Sequence, residues 1–194
     1  MKRALPLAAT VLLLSACGSE TSAADEPEGG DEPVTPQALA FVAAEHAGEP
    51  DKAFPSSDLE AEGAVGVELL YGTTGEYDGD MLAVAVGPQD GPVDCTSQDD
   101  EFLDGCEETD DGLLMWEDET FESDPGVVYV AVGKGDATVL VYYAGPTITE
   151  GEDPRDLDLP ISVDDLFAIA NDPRVDSTTS QEAIDGGADL LTGG

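Results

Sequence analysis

The chain has 194 residues, of which 44 are Asp or Glu and six are Lys or Arg, giving a formal net charge of −38 at pH 7. A field of that sign repels nucleic acid and anionic lipid headgroups, and it attracts cations or basic partners. With a single histidine and neither HExxH nor a Cys/His cluster, most zinc sites are excluded; without GxxxxGK(S/T) or GxGxxG, nucleotide binding has no support.

Lys2 and Arg3 form a positive n-region, Ala4 to Leu14 an apolar h-region, and Ser15-Ala16 the small residues that a signal-processing enzyme requires. The apolar run is about half of the ~20 residues needed to cross a bilayer as a helix, which argues against a permanent span. Leu14-Ser15-Ala16-Cys17, followed by Gly18-Ser19, resembles the lipobox of bacterial lipoproteins. That resemblance implies cleavage before Cys17, so that residues 1–16 are a lipoprotein signal peptide. It also implies a diacylglyceryl group on the Cys17 thiol and a position on the outer face of the cell membrane. Burying acyl chains is worth ~0.8 kcal/mol per CH₂, so two or three chains hold a soluble domain there. An ordinary secretory signal that contains a cysteine is the alternative. Loss of residues 1–16 leaves Lys52, Lys134, Arg155 and Arg174 against all 44 acids, a net charge of −40. Solubility outside the cell is the plain reading of that charge, and a dedicated acidic binding surface is the other.

Residues 17–34 are acidic and rich in Gly and Pro, with too little apolar surface to offset the cost of ordering, and read as a flexible tether. A single domain is expected over 35–175. Thr35-Pro36 looks like an N-cap with proline at the first helical position, and Gly48 is the stop. Between them Leu39, Val42, Ala43 and His46 share one helix face, with His46 near the C-terminus, where the dipole favours its charge. Residues 49–63 read as a loop. Val65, Val67, Leu69 and Tyr71 alternate as a strand, and Met81 to Val86 returns as its hairpin partner.

Residues 88–111 read as an acidic loop containing Cys95 and Cys106. With Cys17 assigned to lipid, these two are an even pair in a disulfide-permissive compartment. Their bridge would close a loop of about 12 residues, worth ~3 kcal/mol in the chain-entropy model. Leu113 to Glu117 and Val127 to Val132 are strands. Gly133 to Asp136 turns the second of them into Ala137 to Ala144. Ser162 caps a helix whose third residue is Asp165, a variant of the capping box. Val163, Leu166, Phe167 and Ala170 line that helix, and Asn171-Asp172-Pro173 ends it. Residues 176–194 read as a loose, polar, Gly-rich tail holding at most a short helix near Gln181 to Ile184.

The expected fold is α+β: one small antiparallel sheet of about five strands built from hairpins, with an N-terminal and a C-terminal helix packed on one face. The whole layout, from lipobox and acidic tether to Ile161-Ser162-Val163-Asp164-Asp165-Leu166 and Asn171-Asp172-Pro173-Arg174, resembles exported lipoproteins of actinobacteria. Those have no assigned activity, so the resemblance supports a location and supplies no catalytic residue.

Catalytic chemistry is not legible. A Ser-His-Asp or Cys-His site would have to use His46, and no GxSxG elbow surrounds a serine. A glycosidase needs two carboxylates at a fixed separation, and 44 candidates single out no pair. Calcium is the best small-ligand candidate, because hard oxygen donors at Asp99, Asp100 and Asp104 cluster near the cysteines, although no segment matches the full EF-hand loop. The expectation is therefore a non-catalytic, lipid-anchored binding domain with no cofactor. Its partners would be the membrane, through its lipid, and a cationic or protein component of the envelope, not nucleic acid. The alternatives are a calcium- or cation-binding surface module using the acidic 94–111 loop, and a carboxylate-dependent envelope hydrolase.

Overall fold

A computed structural model describes residues 29–56, 63–73, 79–96, 103–119 and 125–191. In chain order these form β1 (Glu32–Pro33), α1 (Pro36–Ala47), β2 (Lys52–Pro55), β3 (Val65–Tyr71), β4 (Asp80–Pro88), β5 (Gly105–Thr109) and β6 (Gly112–Glu117). There follow β7 (Val127–Lys134), β8 (Ala137–Ala144), a 3-10 turn at Pro154–Asp156, α2 (Val163–Asn171), β9 (Thr178–Thr179) and α3 (Gln181–Gly186). Helices combined with an antiparallel sheet are present as expected, but the sheet is larger than the five strands read from the sequence. Seven strands pair in the order β2-β3-β4-β8-β7-β6-β5, and β1 and β9 form a separate two-stranded ribbon.

The two main-sheet strands that sequence reading missed, β2 within 49–63 and β5 within 88–111, are the sheet's two edges. Edge strands need no second apolar partner, and charge or proline on them blocks pairing with other chains. Lys52 and Pro55 on β2, and Glu107 and Glu108 on β5, hide the alternation that reveals a central strand.

Side chains on a strand alternate between faces, and the register sorts them into two cores. Val67, Val84, Val141, Val130 and Leu114 lie in one row across β3, β4, β8, β7 and β6, all of them fully buried. Both long helices cover this face, α1 against β2, β3 and β4, and α2 against β7 and β8. The opposite face carries a smaller cluster, Leu113, Met115 and Ala131.

The helices begin where the sequence places them. Thr35 Oγ1 accepts from Ala38 N at 3.3 Å, and Gly48 closes α1 at φ 89°, a conformation that glycine takes without steric cost. In α2 the capping box is complete: Asp165 N donates to Ser162 Oγ at 3.2 Å, and Ser162 N to Asp165 Oδ2 at 3.0 Å.

The tail is not loose as far as Leu191. Thr178–Thr179 pairs with Glu32–Pro33, α3 packs on α1, and Leu191 bridges to Ala53 on β2. The last residues of the expected tether are therefore built in together with most of the expected tail. Glycine is the physical reason. A Cβ on Gly187 would sit 1.9 Å from the Gln37 carbonyl oxygen, and one on Gly186 2.5 Å from the Phe41 ring, so the run of small residues permits close helix approach. Gly187→Ala is expected to lower stability by about 2 kcal/mol, the usual size of an overpacking penalty, in urea unfolding followed by circular dichroism. An unchanged midpoint would mean that α3 is not docked on α1.

Candidate functional site

Three groupings of polar side chains are candidates for function. The first joins the ends of α1 and α2. His46 Nε2 lies 3.1 Å from Asp172 Oδ2, with 3% of the Asp172 side chain exposed. The Arg174 Nε and Nη2 atoms donate to the same carboxylate at 2.9 and 2.7 Å, and Arg174 also pairs with Glu45 on α1 at 2.7 Å. From β7, Lys134 Nζ donates to the Asp172 and Val175 carbonyls at 2.6 and 2.7 Å. Burial pushes the Asp172 carboxyl up, but the hydrogen bonds from Arg174 and His46 outweigh it and hold the group below its usual range. Burial lowers Lys134 against the charges of Asp176 and Asp172. Every polar group here faces another element of the fold, so the cluster ties helix to helix and helix to sheet.

The second grouping is acidic and sits where β6 ends and β5 begins. Asp104 Oδ2 accepts the Asp118 backbone N–H at 2.8 Å. Asp118 Oδ1 is buried and, among the described residues, has no hydrogen-bond partner. Burial raises the Asp118 carboxyl above its usual range, the Asp104 charge adds to this, the Gly151 backbone opposes it, and Glu150 and Glu152 raise it further. The neighbouring 149–155 segment is organised by its own contacts. Thr149 N and Oγ1 donate to Glu152 at 2.9 and 2.7 Å, and Arg155 bridges Asp153 and Glu107 on β5, each at 2.6 Å. These exposed pairs position the segment more than they stabilise it.

The third grouping is the disulfide. Cys95 and Cys106 are bonded, with Cα atoms 5.8 Å apart, the pairing expected once Cys17 is set aside. Cys106 faces the second cluster from β5, and Cys95, Val93 and Leu103 pack against it.

Of the calcium candidates Asp99, Asp100 and Asp104, only Asp104 is placed, and its carboxylate caps a backbone amide. Asp99 and Asp100 lie outside the described residues, as does Cys17. Among the described residues no group of three or more His, Cys, Asp or Glu is arranged to hold a metal ion. No helix among them is long and apolar enough to cross a membrane. A shallow cleft of about 200 Å³ opens between Val34, Val86, Pro88, Asp136 and Ser177, with Asp136 as its ionisable lining group. Sequence reasoning did not single out Asp118 or Glu150. Asn171-Asp172-Pro173 was readable as a helix stop, but neither Asp172 nor Arg174 was readable as part of a cluster with His46.

Removing the Asp172 carboxylate leaves Arg174 and His46 without their shared acceptor. Asp172→Ala is expected to cost about 3 kcal/mol, as for breaking one side of a buried ion pair, in chemical denaturation at pH 7. The folded-state pKa of Asp172 lies below the ordinary 3.8. Its stabilisation is therefore complete above the unfolded-state value and is lost as the pH falls through the folded one. Below about pH 4 the difference between variant and wild type should shrink, and a difference independent of pH would remove Asp172 from the account of acid stability.

Compared with protein-family models, with curated proteins and with solved structures, the chain matches none of them.

Proposed function

We propose that this chain is a lipid-anchored extracytoplasmic protein, whose domain acts by binding another component of the cell envelope and not by catalysis. The observation that carries this reading is Leu14-Ser15-Ala16-Cys17 at the end of a basic-then-apolar N-terminus. The described residues support it from another direction. The single histidine is committed to a tie between helices, and Lys134, Arg155 and Arg174 are engaged in contacts within the fold. What the surface offers a partner is then predominantly carboxylate, and the partner such a field selects is cationic: a basic protein segment or another positively charged envelope component.

Mass spectrometry of protein from the producing bacterium is expected to find a chain that begins at Cys17 and carries acyl mass. Cys17→Ala should move the protein from the membrane fraction to the medium. An unmodified Cys17 thiol in native material would overturn the anchor, and crosslinking in the intact envelope reads out the partner.

A cation-binding reading is favoured by one observation, the buried and unpartnered Asp118 Oδ1 beside Asp104. A divalent cation shared by the two carboxylates would relieve their repulsion. Calorimetry with calcium at physiological salt is expected to give saturable heat that Asp118→Asn abolishes, and the absence of such heat ends this reading. Without calcium, the raised carboxyl disfavours the folded state once it ionises, so Asp118→Asn should raise the thermal midpoint at pH 7 slightly. That gain should fade as the pH falls through the raised folded-state value and vanish below the ordinary 3.8, where the acid is protonated in both states.

A further inference from the structure

The strand order sets a routing problem. β4 and β5 are consecutive in the chain but four strand spacings apart in the sheet, with β8, β7 and β6 between them, a distance of about 19 Å. The helices occupy one face, so the connection must cross the other, and it does. Gln89 N donates to Asp136 O at 2.9 Å, in the turn joining β7 and β8, and the Gln89 side chain and Val93 lie beside Gly133 at the end of β7. By Cys95 the chain has reached β5, where the bond to Cys106 is made. Seven residues from Pro88 to Cys95 span at most about 24 Å, so the crossing has little slack.

Beneath this strap lie Leu113, Met115 and Ala131, 1%, 5% and 5% exposed, with Val93, Cys95 and Leu103 packed on them. That cluster is separate from the helix-side core, which lies on the opposite face of the same strands. Besides this packing, the far end of the strap carries the disulfide to β5 and a long hydrogen bond, 3.4 Å from Cys95 N to the Glu108 carboxylate, among its ties to the sheet.

We propose that Cys95–Cys106 is a redox-releasable clasp. A dithiol reductant opens it, the strap of residues 89–96 lifts, and the face around Met115 is uncovered while the helix-side core stays folded. A thiolate of the reductant attacks one cysteine sulfur, breaking the Cys95–Cys106 bond, forming a mixed disulfide and expelling the other cysteine as a thiolate that takes up a proton. The reductant's second thiol, as its thiolate, then displaces the remaining cysteine, which is also protonated. The dithiol leaves as a cyclic disulfide, oxidised by two electrons, and the protein gains those electrons and two protons. The separation of the two cores gives local opening a lower cost than global unfolding. Because this device needs no lipid on Cys17, its failure and the failure of the anchoring reading are independent.

Two measurements on the full-length chain in detergent test it. In Cys95→Ser/Cys106→Ser, hydrogen peroxide should convert Met115 to its sulfoxide about tenfold faster than in wild type, read by peptide mass spectrometry. Wild type held in dithiothreitol should show faster amide exchange in residues 89–96, while α1, α2 and β8 keep their protection and unfolding stays cooperative. Equal Met115 oxidation in variant and wild type, or unchanged exchange on reduction, would overturn the proposal by showing that packing alone holds the strap. Loss of protection throughout the reduced protein would overturn it as well, because the bond would then be a staple for the whole domain.

Discussion

The pairing of β4 with β8 unites two halves that could each be read as a local meander. β2, β3 and β4 follow one another through adjacent pairings, and so do β5, β6, β7 and β8. Only the β4–β8 ladder, from Met81 opposite Ala144 to Pro88 opposite Ala137, makes them one sheet with one continuous apolar face. Val84 and Val141 meet in that ladder and extend the fully buried row on both sides. The same pairing separates the end of β4 from the start of β5. The covered second face, the strap and the position of the disulfide all follow from it.

Charge acts on this frame as a standing opposition. A chain with 44 acids and six Lys and Arg residues repels itself when compact. The cations it has are placed where one of them serves several groups. Arg174 serves Asp172 and Glu45, and Arg155 serves Asp153 and Glu107. Lys134 satisfies two carbonyls of the turn after α2, which Asp172 caps. The pairs at Asp172 are buried enough to escape most screening by salt, whereas those at Arg155 are not. The helix-side junction is therefore tied electrostatically, whereas at β5 the covalent Cys95–Cys106 bond adds to the ladder with β6.

What was legible in the sequence is what local chemistry decides. The β7–β8 hairpin shows itself by β-branched and aromatic runs around Gly133 to Asp136, and α2 by Ser162 with Asp165. The cysteine pair followed from counting, once Cys17 was set aside. Edge strands β2 and β5 were hidden because an edge has no need of the alternating pattern. Gly186 and Gly187 suggested looseness, since glycine is equally the residue of flexible chain and of close packing, and only the position of Gln37 and Phe41 decides between the two. Asp118 could not be distinguished among so many carboxylates. The charges that act on it come from Asp104 on one segment and from Glu150 and Glu152 on another, a convergence that depends on strand order and not on spacing in the chain.

The ends of the sheet give the molecule a direction. Val34, the first residue after β1, lines one shallow cleft with Val86, Pro88 and Asp136, where β4 and β7 finish and β8 begins. Asp104 and Asp118 lie at the other end of the strands, beside the start of β5 and the finish of β6. Eight residues of β8 separate the two ends, about 25 Å at strand rise. The described chain enters the domain at the first end, and the Asp104–Asp118 end is the one opposite that entry. Charges held that far apart along the strands are separated by about three Debye lengths at physiological salt, so the acidic end is electrostatically insulated from whatever lies at the entry end. The strand order that carries the strap across the sheet therefore also sets these carboxylates at the far end of the sheet from the entry of the chain.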